Sequence, residues 1–431
     1  MRTLGEFLRS TFAILIYFLI LLTFVSCSDS KSEASSSQCA SDEVENPFGT
    51  CVLSAPTSDE APAVNREVLA TGLDAPWDLA FIDDTTMLFT EKCRGLSVRD
   101  GSGDIRFLFG VSGAAVVASD LFCEGQSGFA GVAIDPDFTT NRFVYVFAAS
   151  NLSTSPRTNR VVRLKVSADL TTVSDRTDIV TEISFKDVGN DVGGAGAHSG
   201  GRLRFGPDGY LYVTTGDNHD GPLPQDINRL GGKVLRIDRD GNPAPGNSSP
   251  AGGDPRIFTY GHRNVQGISF QPLTGQPVTA EHGPGHTDEV TALVAGGNGG
   301  WDPRANGGVT CPSDYCGYTT NKPSGVLTPM TDLLIYPDAM PPVWTNEGDS
   351  DGLGPCTFIV GREWKAWHGR LAVGIMGARK LDVLEVSSDM QLGEVLTLEL
   401  PEERIRTIVQ GPDGRLYVFT DGGELWKLTP D

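Results

Sequence analysis

Three glycine-flanked polar clusters carry the side chains suited to moving protons and holding charge. The first runs Ala197-His198-Ser199-Gly200-Gly201-Arg202-Leu203 and is followed by Thr215-Gly216-Asp217. A histidine whose second ring nitrogen can lean on a carboxylate is a common general base near neutral pH; the plainer reading of His198 is a loop residue before a strand. Ala197-x-Ser199-x-Gly201 has the spacing of a hydrolase nucleophile elbow, but that turn must open a helix. Arg202 to Val213 reads instead as strand, turn, strand, so Ser199 is not expected to be a nucleophile. The second cluster is Gly261-His262-Arg263-Asn264, and the third is Glu281-His282-Gly283-Pro284-Gly285-His286-Thr287-Asp288-Glu289. His282 and His286 have the spacing of a helical zinc pair, yet Gly283-Pro284-Gly285 forbids a helix between them. A Gly-Pro loop flanked by carboxylates favours a hard cation such as calcium, with an ordinary turn as the alternative. Asp238-x-Asp240-x-Asn242 also resembles a calcium loop, but Pro243 stands where glycine is required, so it reads as a hairpin turn.

The elements that position these clusters are short strands. Beyond about Val64 there is almost no 3.6-residue periodicity; a turn followed by an alternating strand recurs instead. Pro207-Asp208-Gly209-Tyr210-Leu211-Tyr212-Val213 is nearly repeated as Pro412-Asp413-Gly414-Arg415-Leu416-Tyr417-Val418, with looser copies at Asp83, Asp135, Gln271 and Trp367. A Pro- or Asp-led turn with glycine at positive φ feeds a half-buried strand. Six units over residues 64–431, about 60 residues each, predict an all-β fold, a six-bladed β-propeller with long inter-strand loops. A pair of β-sandwiches would not repeat one turn phrase around the whole chain.

In order, Gly125-Gln126-Ser127-Gly128, His198-x-Gly200-Gly201-Arg202-Leu203, Gly216-Asp217, Gly261-His262-Arg263-Asn264, Glu281-His282-Gly283-Pro284 and Arg404-Ile405-Arg406 form a set. That set resembles the soluble pyrroloquinoline-quinone (PQQ) sugar dehydrogenases, the aldose sugar and glucose/sorbosone dehydrogenases. The likeness runs from about Val64 to Leu428 and takes in Pro76-Trp77-Asp78-Leu79-Ala80 and Gly231-Gly232-Lys233-Val234-Leu235-Arg236. It implies a six-bladed propeller that oxidises an aldose at its anomeric carbon to the lactone, with PQQ and calcium as cofactors and an external electron acceptor. It implies His198 as general base, Asp217 as its orienting carboxylate, and Arg263 as the cation that stabilises charge on the quinone side. Gln126, Arg263, Asn264, Arg404 and Arg406 match cofactor contacts. The carbonyls of Gly283 and Pro284 match the calcium ligands that hold PQQ, while Glu289 and the Gly299 carbonyl match a second, structural calcium site. The carboxylate is expected to raise His198 above the ordinary imidazole value of about 6.5.

Two positions depart from the family pattern. The lysine that pairs a PQQ carboxylate is replaced by Gly377, with Arg379 or Lys380 as candidate substitutes, and a lysine restored at Gly377 is expected to tighten PQQ binding. The acidic residue often found before the catalytic histidine is Ala197. Other classes are a non-catalytic binding propeller of the Hedgehog-interacting type and a calcium-dependent lactonase. The first has no reason to keep His198, Asp217, Arg263, Arg404 and Arg406 together, and the second needs a carboxylate cage that cannot be assembled here.

The whole chain has 431 residues, with 34 Lys plus Arg against 55 Asp plus Glu, a net charge of −21. Without a basic stripe, that acidity excludes nucleic-acid binding. Arg2 and Arg9 precede Phe12 to Val25, a run apolar except for Thr23 and too short to span a bilayer. Residues 1–26 therefore read as a signal peptide. Phe24-Val25-Ser26-Cys27 resembles a lipoprotein box, which leaves lipid attachment to a membrane at Cys27 open alongside plain secretion. The product is expected to be exported: periplasmic, extracellular or lipid-anchored. Residues 27–63 read as a Ser-rich tether with a small loop closed by Cys39 and Cys51, and 64–431 as the catalytic propeller. The other disulfides expected are Cys93 with Cys123 and two of Cys311, Cys316 and Cys356, one thiol staying free.

Overall fold

Alternation of apolar and turn residues produces six antiparallel sheets arranged as blades. A computed structural model describes residues 39–152, 157–187, 193–346 and 348–431. Residues 1–38, where the expected signal peptide, Cys27 and the Ser-rich tether fall, lie outside the described residues.

From the innermost strand outward, the first blade is Pro76–Phe81, Met87–Glu91, Gly95–Arg99 and Ile105–Gly110, extended by the parallel strand Val116–Val117. The second is Phe129–Ile134, Phe143–Ser150, Thr158–Val166 and Val173–Ile183, and the third Leu203–Phe205, Leu211–Thr214, Lys233–Ile237 and Ile257–Tyr260. The fourth is Val265–Phe270, Pro277–Glu281, Glu289–Ala292 and Trp344–Thr345; the fifth is Leu353–Phe358, Leu371–Ile375, Lys380–Val386 and Leu392–Leu398. The sixth takes three strands from the C-terminus, Ile405–Gln410, Leu416–Thr420 and Leu425–Pro430. Its outer strand, Val64–Ala70, comes from the start of the domain. That pairing ties the two ends together and closes the ring, so each inner strand has a neighbour on both sides.

Each pair of adjacent blades encloses its own apolar core. Leu88, Leu96 and Phe109 meet Phe129, Val146 and Leu164 between the first two blades, and Val278 and Val290 meet Leu353, Val373 and Leu384 between the fourth and fifth. A strand sandwiched in this way is buried on both faces. That is why Phe143–Ser150 reads as a nearly continuous apolar run rather than an alternating one.

The six copies of the turn phrase all fall between the first and second strands of a blade. In the third blade, Asp208 Oδ1 accepts the Tyr210 N–H at 3.2 Å, Gly209 supplies φ of +78°, and Asp208 Oδ2 accepts the Tyr212 hydroxyl at 3.0 Å. The sixth blade repeats this with Asp413, Gly414 at φ +77° and the Tyr417 hydroxyl at 2.9 Å. Aspartate organises the turn and then reaches the strand that leaves it.

The small loop expected between Cys39 and Cys51 is present and packs on the propeller. The hairpin Glu43–Glu45 with Cys51–Leu53, closed by the Cys39–Cys51 disulfide, is pinned to the fourth and fifth blades. Asn46 Nδ2 donates to the Pro272 carbonyl at 3.1 Å, His368 Nε2 lies 3.1 Å from the Leu53 carbonyl, and Arg362 pairs with Asp42. Cys93–Cys123 and Cys311–Cys316 are the other disulfides, and Cys356 is a buried thiol.

Candidate active site

Because strands alternate in direction, the loops entering each inner strand and the loops between second and third strands share one face, opposite the aspartate turns. That face holds a cavity of about 660 Å³. His198 and Asn264 come from loops that enter inner strands. Lys92, His282, Met376 and Asp421 come from second-to-third loops.

His198 lines the cavity at φ +51°, a left-handed conformation rare for a side chain with Cβ. Its Nδ1 lies 2.7 Å from Asp217 Oδ1. Asp217 is fully buried and also receives the His219 backbone N–H at 2.9 Å and the Trp301 indole N–H at 2.8 Å. Three converging N–H donors suit an ionised carboxylate. They fix His198 as the Nδ1–H tautomer, with the Nε2 lone pair available as a base. Asn218 Nδ2 holds the backbone of the same loop by donating to the Ala197 and His198 carbonyls at 3.1 and 2.9 Å.

The electrostatics of His198 correct one expectation. Burial, followed by the nearby positive charges of Arg263, His282 and Lys186, pulls the imidazole well below its ordinary value instead of raising it. Asp217 is itself pushed up by burial, which blunts its attraction for an imidazolium.

The cavity gathers cations in an acidic protein. Lys92, Arg263, Arg404 and Arg406 line it, against Asp421 as the carboxylate facing them. Arg404 Nε and Arg406 Nε bind Asp421 at 2.9 and 2.7 Å. Burial would raise Asp421, but the two guanidiniums outweigh it and hold the carboxyl below its ordinary value. Arg263 donates to the His282 carbonyl at 2.6 Å and to the Tyr318 hydroxyl at 3.1 Å. Gln126 sits exposed at the rim, and Asn264 Oδ1 accepts from Gln266 Nε2 at 3.0 Å. Behind Trp77, the buried Arg202 stacks 4.2 Å from the indole and bonds Asp78, Thr407 and the Gln266 and Arg406 carbonyls, tying four inner strands together.

Gly283 lines the cavity with Gly285, and Pro284 is buried between them. Asp288 accepts the Gly283 N–H at 2.7 Å and the Ser350 hydroxyl at 2.6 Å, which fastens this loop to the next blade. Glu289 and Gly299 lie away from the cavity lining. The Thr331 hydroxyl joins them, 3.0 Å from Glu289 Oε2 and 3.1 Å from the Gly299 carbonyl. Burial and the neighbouring Glu281 push Glu289 up to about 8. Among the described residues, no three His, Cys, Asp or Glu side chains cluster as metal ligands.

Neither Arg379 nor Lys380 lines the cavity. Arg379 is exposed, and Lys380 Nζ pairs with Asp382 at 2.9 Å. A Cβ at Gly377 would stand 2.4 Å from the Asp351 carbonyl oxygen, so glycine is kept there by backbone crowding. Across the cavity, Lys92 Nζ donates to the Gly125 carbonyl at 2.7 Å.

Sequence reasoning missed Lys92, His219, Trp301 and Tyr318. Trp301 and Tyr318 belong to a long insertion in the fourth blade. Its chain climbs back beside Ile257–Tyr260 through Gly299 N–H to Tyr260 carbonyl, 2.7 Å. His219 lies two residues beyond Asp217, which was the one signal available in the sequence.

A family model described as glucose/sorbosone dehydrogenase matches residues 73–427, nearly the whole propeller. The chain belongs to the glucose/sorbosone dehydrogenase family. It is thereby a sugar dehydrogenase, an oxidoreductase. The aldose sugar dehydrogenase YliI of Escherichia coli is 30% identical over 86% of this chain and 94% of its own length. Quinoprotein glucose dehydrogenase B of Acinetobacter calcoaceticus is 30% identical over 55% of this chain and 52% of its own. A crystal structure of a glucose dehydrogenase superposes with a TM-score of 0.70 at 29% identity, over 84% of this chain and 99% of that one.

Proposed function

We propose that this chain oxidises an aldose at its anomeric carbon to the lactone, with PQQ and calcium in the cavity and an external acceptor taking the electrons. The observation that carries the reading is one cavity wall bearing the His198–Asp217 pair and the others bearing Lys92, Arg263, Arg404 and Arg406. PQQ is a planar tricarboxylate, and four cations against one carboxylate suit it in a chain otherwise acidic overall. Gln126 and Asn264 offer amide contacts. The Gly283 and Pro284 carbonyls offer hard oxygen donors for calcium, while Glu289 and the Gly299 carbonyl suit a second, structural calcium.

When bound, PQQ supplies the acceptor for the hydride and calcium the electrophile that polarises it. His198 Nε2 takes the proton of the anomeric hydroxyl, and Asp217 keeps Nδ1–H fixed while the imidazolium exists. Arg263, buried against Trp301 and Tyr318, presents a fixed positive charge to the oxygen where negative charge develops. The disulfides suit an exported, oxidising location; we infer loss of the first 26 residues or so, with Cys27 open to lipid attachment.

Reconstitution of the purified protein with PQQ and calcium, followed by dye reduction with a panel of aldoses, tests the reading. Calcium-dependent PQQ uptake and aldose-dependent dye reduction are expected. Loading without any aldose oxidation would overturn it.

A further inference from the structure

Lys92 differs from the other cations of the cavity in how it is held. Arg404 and Arg406 share Asp421, and Arg263 is buried, bonded to the His282 carbonyl and the Tyr318 hydroxyl. Among the described residues, Lys92 Nζ meets one oxygen, the Gly125 carbonyl at 2.7 Å, and no carboxylate. An ammonium has three N–H donors, so two remain for an anion in the cavity. The backbone beneath it is fixed. The Lys92 N–H bonds the Ala75 carbonyl at 3.0 Å, and the Lys92 carbonyl accepts the Phe129 N–H at 2.8 Å.

The Lys92–Gly125 bond crosses from the first blade to the turn that leads into the second. Residues 123–128 of that turn belong to no strand, and Glu124, Gly125 and Gln126 are exposed. The Ser127 N–H and hydroxyl close the turn on the Glu124 carbonyl at 3.0 and 2.7 Å, and the Gln126 N–H reaches the Ala195 carbonyl at 3.0 Å. Next to Lys92 in the chain, Cys93 is joined to Cys123 at the start of this turn. A covalent link and a hydrogen bond therefore tie together the two segments that bring Lys92 and Gln126 to the cavity.

We propose that the Cys93–Cys123 disulfide is a positioning bond of the cofactor site, holding the Lys92 loop and the Gln126 turn as a preformed grip on an anionic cofactor. The inference rests on the reading that PQQ occupies this cavity. With the bridge closed, the freedom of both segments is lost before the cofactor arrives, so more of the contact energy appears as affinity. With the bridge open, the exposed turn must be ordered on binding. A bridge spanning 30 residues also stabilises the fold by restricting the unfolded chain, so a lower melting temperature alone reports only a structural role.

PQQ titration in the presence of calcium, read by the absorbance of the bound cofactor, tests this without turnover. The full-length proteins compared are wild type, Cys93→Ser/Cys123→Ser, Lys92→Gln and the triple variant. Opening the bridge is expected to weaken PQQ by about tenfold, the effect of ordering one or two more side chains on binding. Lys92→Gln keeps an amide donor for the Gly125 carbonyl but no charge, and should weaken PQQ by about tenfold or more. Because the bridge acts in part through Lys92, the loss in the triple variant should fall short of the product of the two. Unchanged affinity in the folded serine pair, or losses that multiply fully, overturns the inference. Should the serine pair fail to fold, a phosphine can open the bridge in native wild type, because Cys93 is exposed, with the freed thiols mapped by alkylation. Full affinity with Cys93 and Cys123 free overturns the inference equally. Wild-type protein that takes up no PQQ with calcium present defeats the reading of the cavity itself, and the inference falls with it.

Discussion

The two faces of the propeller are built from the same strands and obey different rules. On one face, the first-to-second turns repeat a single solution, an aspartate or glutamine gathering backbone N–H groups, as at Asp83, Asp208, Gln271 and Asp413. On the cavity face, left-handed backbone at His198, Asn218 and His219 marks strain that the surrounding hydrogen bonds must hold. Repetition reports stability, and the positions where it stops report chemistry.

Substitutions should separate the faces by what they change. His198→Gln on the cavity face is expected to lower turnover by about 10²–10⁴ while leaving PQQ titration unchanged, since the imidazole is not one of the cavity's cations. Arg406→Ala should weaken PQQ binding by an amount equal to roughly 1.5–3 kcal/mol of charge-assisted hydrogen bonding, read by cofactor titration with the base intact. Gly377→Lys should lower thermal stability by about 1–3 kcal/mol without tightening PQQ, because its Cβ meets the Asp351 carbonyl. On the opposite face, Asp208→Ala strands the Tyr212 hydroxyl and the Arg236 Nε, which lies 2.8 Å from the carboxylate. A loss of about 1–3 kcal/mol in stability is expected there with turnover of the loaded enzyme unchanged.

The pH dependence sharpens the same contrast. As the proposed base, His198 works unprotonated, so the rate is expected to fall as pH drops through its pKa. Burial and the surrounding cations lower that pKa, and the acid limb should lie well below the free-imidazole value of about 6.5. Buried neutral His198 and His219 also bind fewer protons folded than unfolded. Stability should consequently rise with pH through that range, as a melting series would show.

What could be read from the sequence follows this division. The turn phrase is local chemistry, so Pro207 to Val213 and Pro412 to Val418 announced blades, and their count announced six. His198, Asp217, Arg263, Arg404 and Arg406 were legible because they sit in motifs near the inner strands. Trp301 and Tyr318 were not, because they reach the site from an insertion whose return path depends on pairing with another blade. Lys92 was not, because nothing local distinguishes it from any surface lysine after a strand. The direction of the His198 shift was misread for a related reason. A carboxylate neighbour is visible in a motif, whereas complete burial and the approach of Arg263 and Lys186 exist only once the ring has closed. The small loop closed by Cys39 and Cys51 was legible, but its seat on the propeller was not, because its anchors, Pro272, Arg362 and His368, are more than 200 residues away.

The most direct test of the account is one anaerobic experiment on protein loaded with PQQ and calcium, following the absorbance of the bound cofactor as an aldose is added. The wild type should show stoichiometric reduction of its cofactor within the mixing time of a turnover. His198→Gln, loaded to the same extent, should show the same change slowed by at least about a hundredfold. An unchanged wild-type spectrum across the aldose panel, or reduction of the His198→Gln protein at the wild-type rate, would contradict the assignment of this cavity and its base.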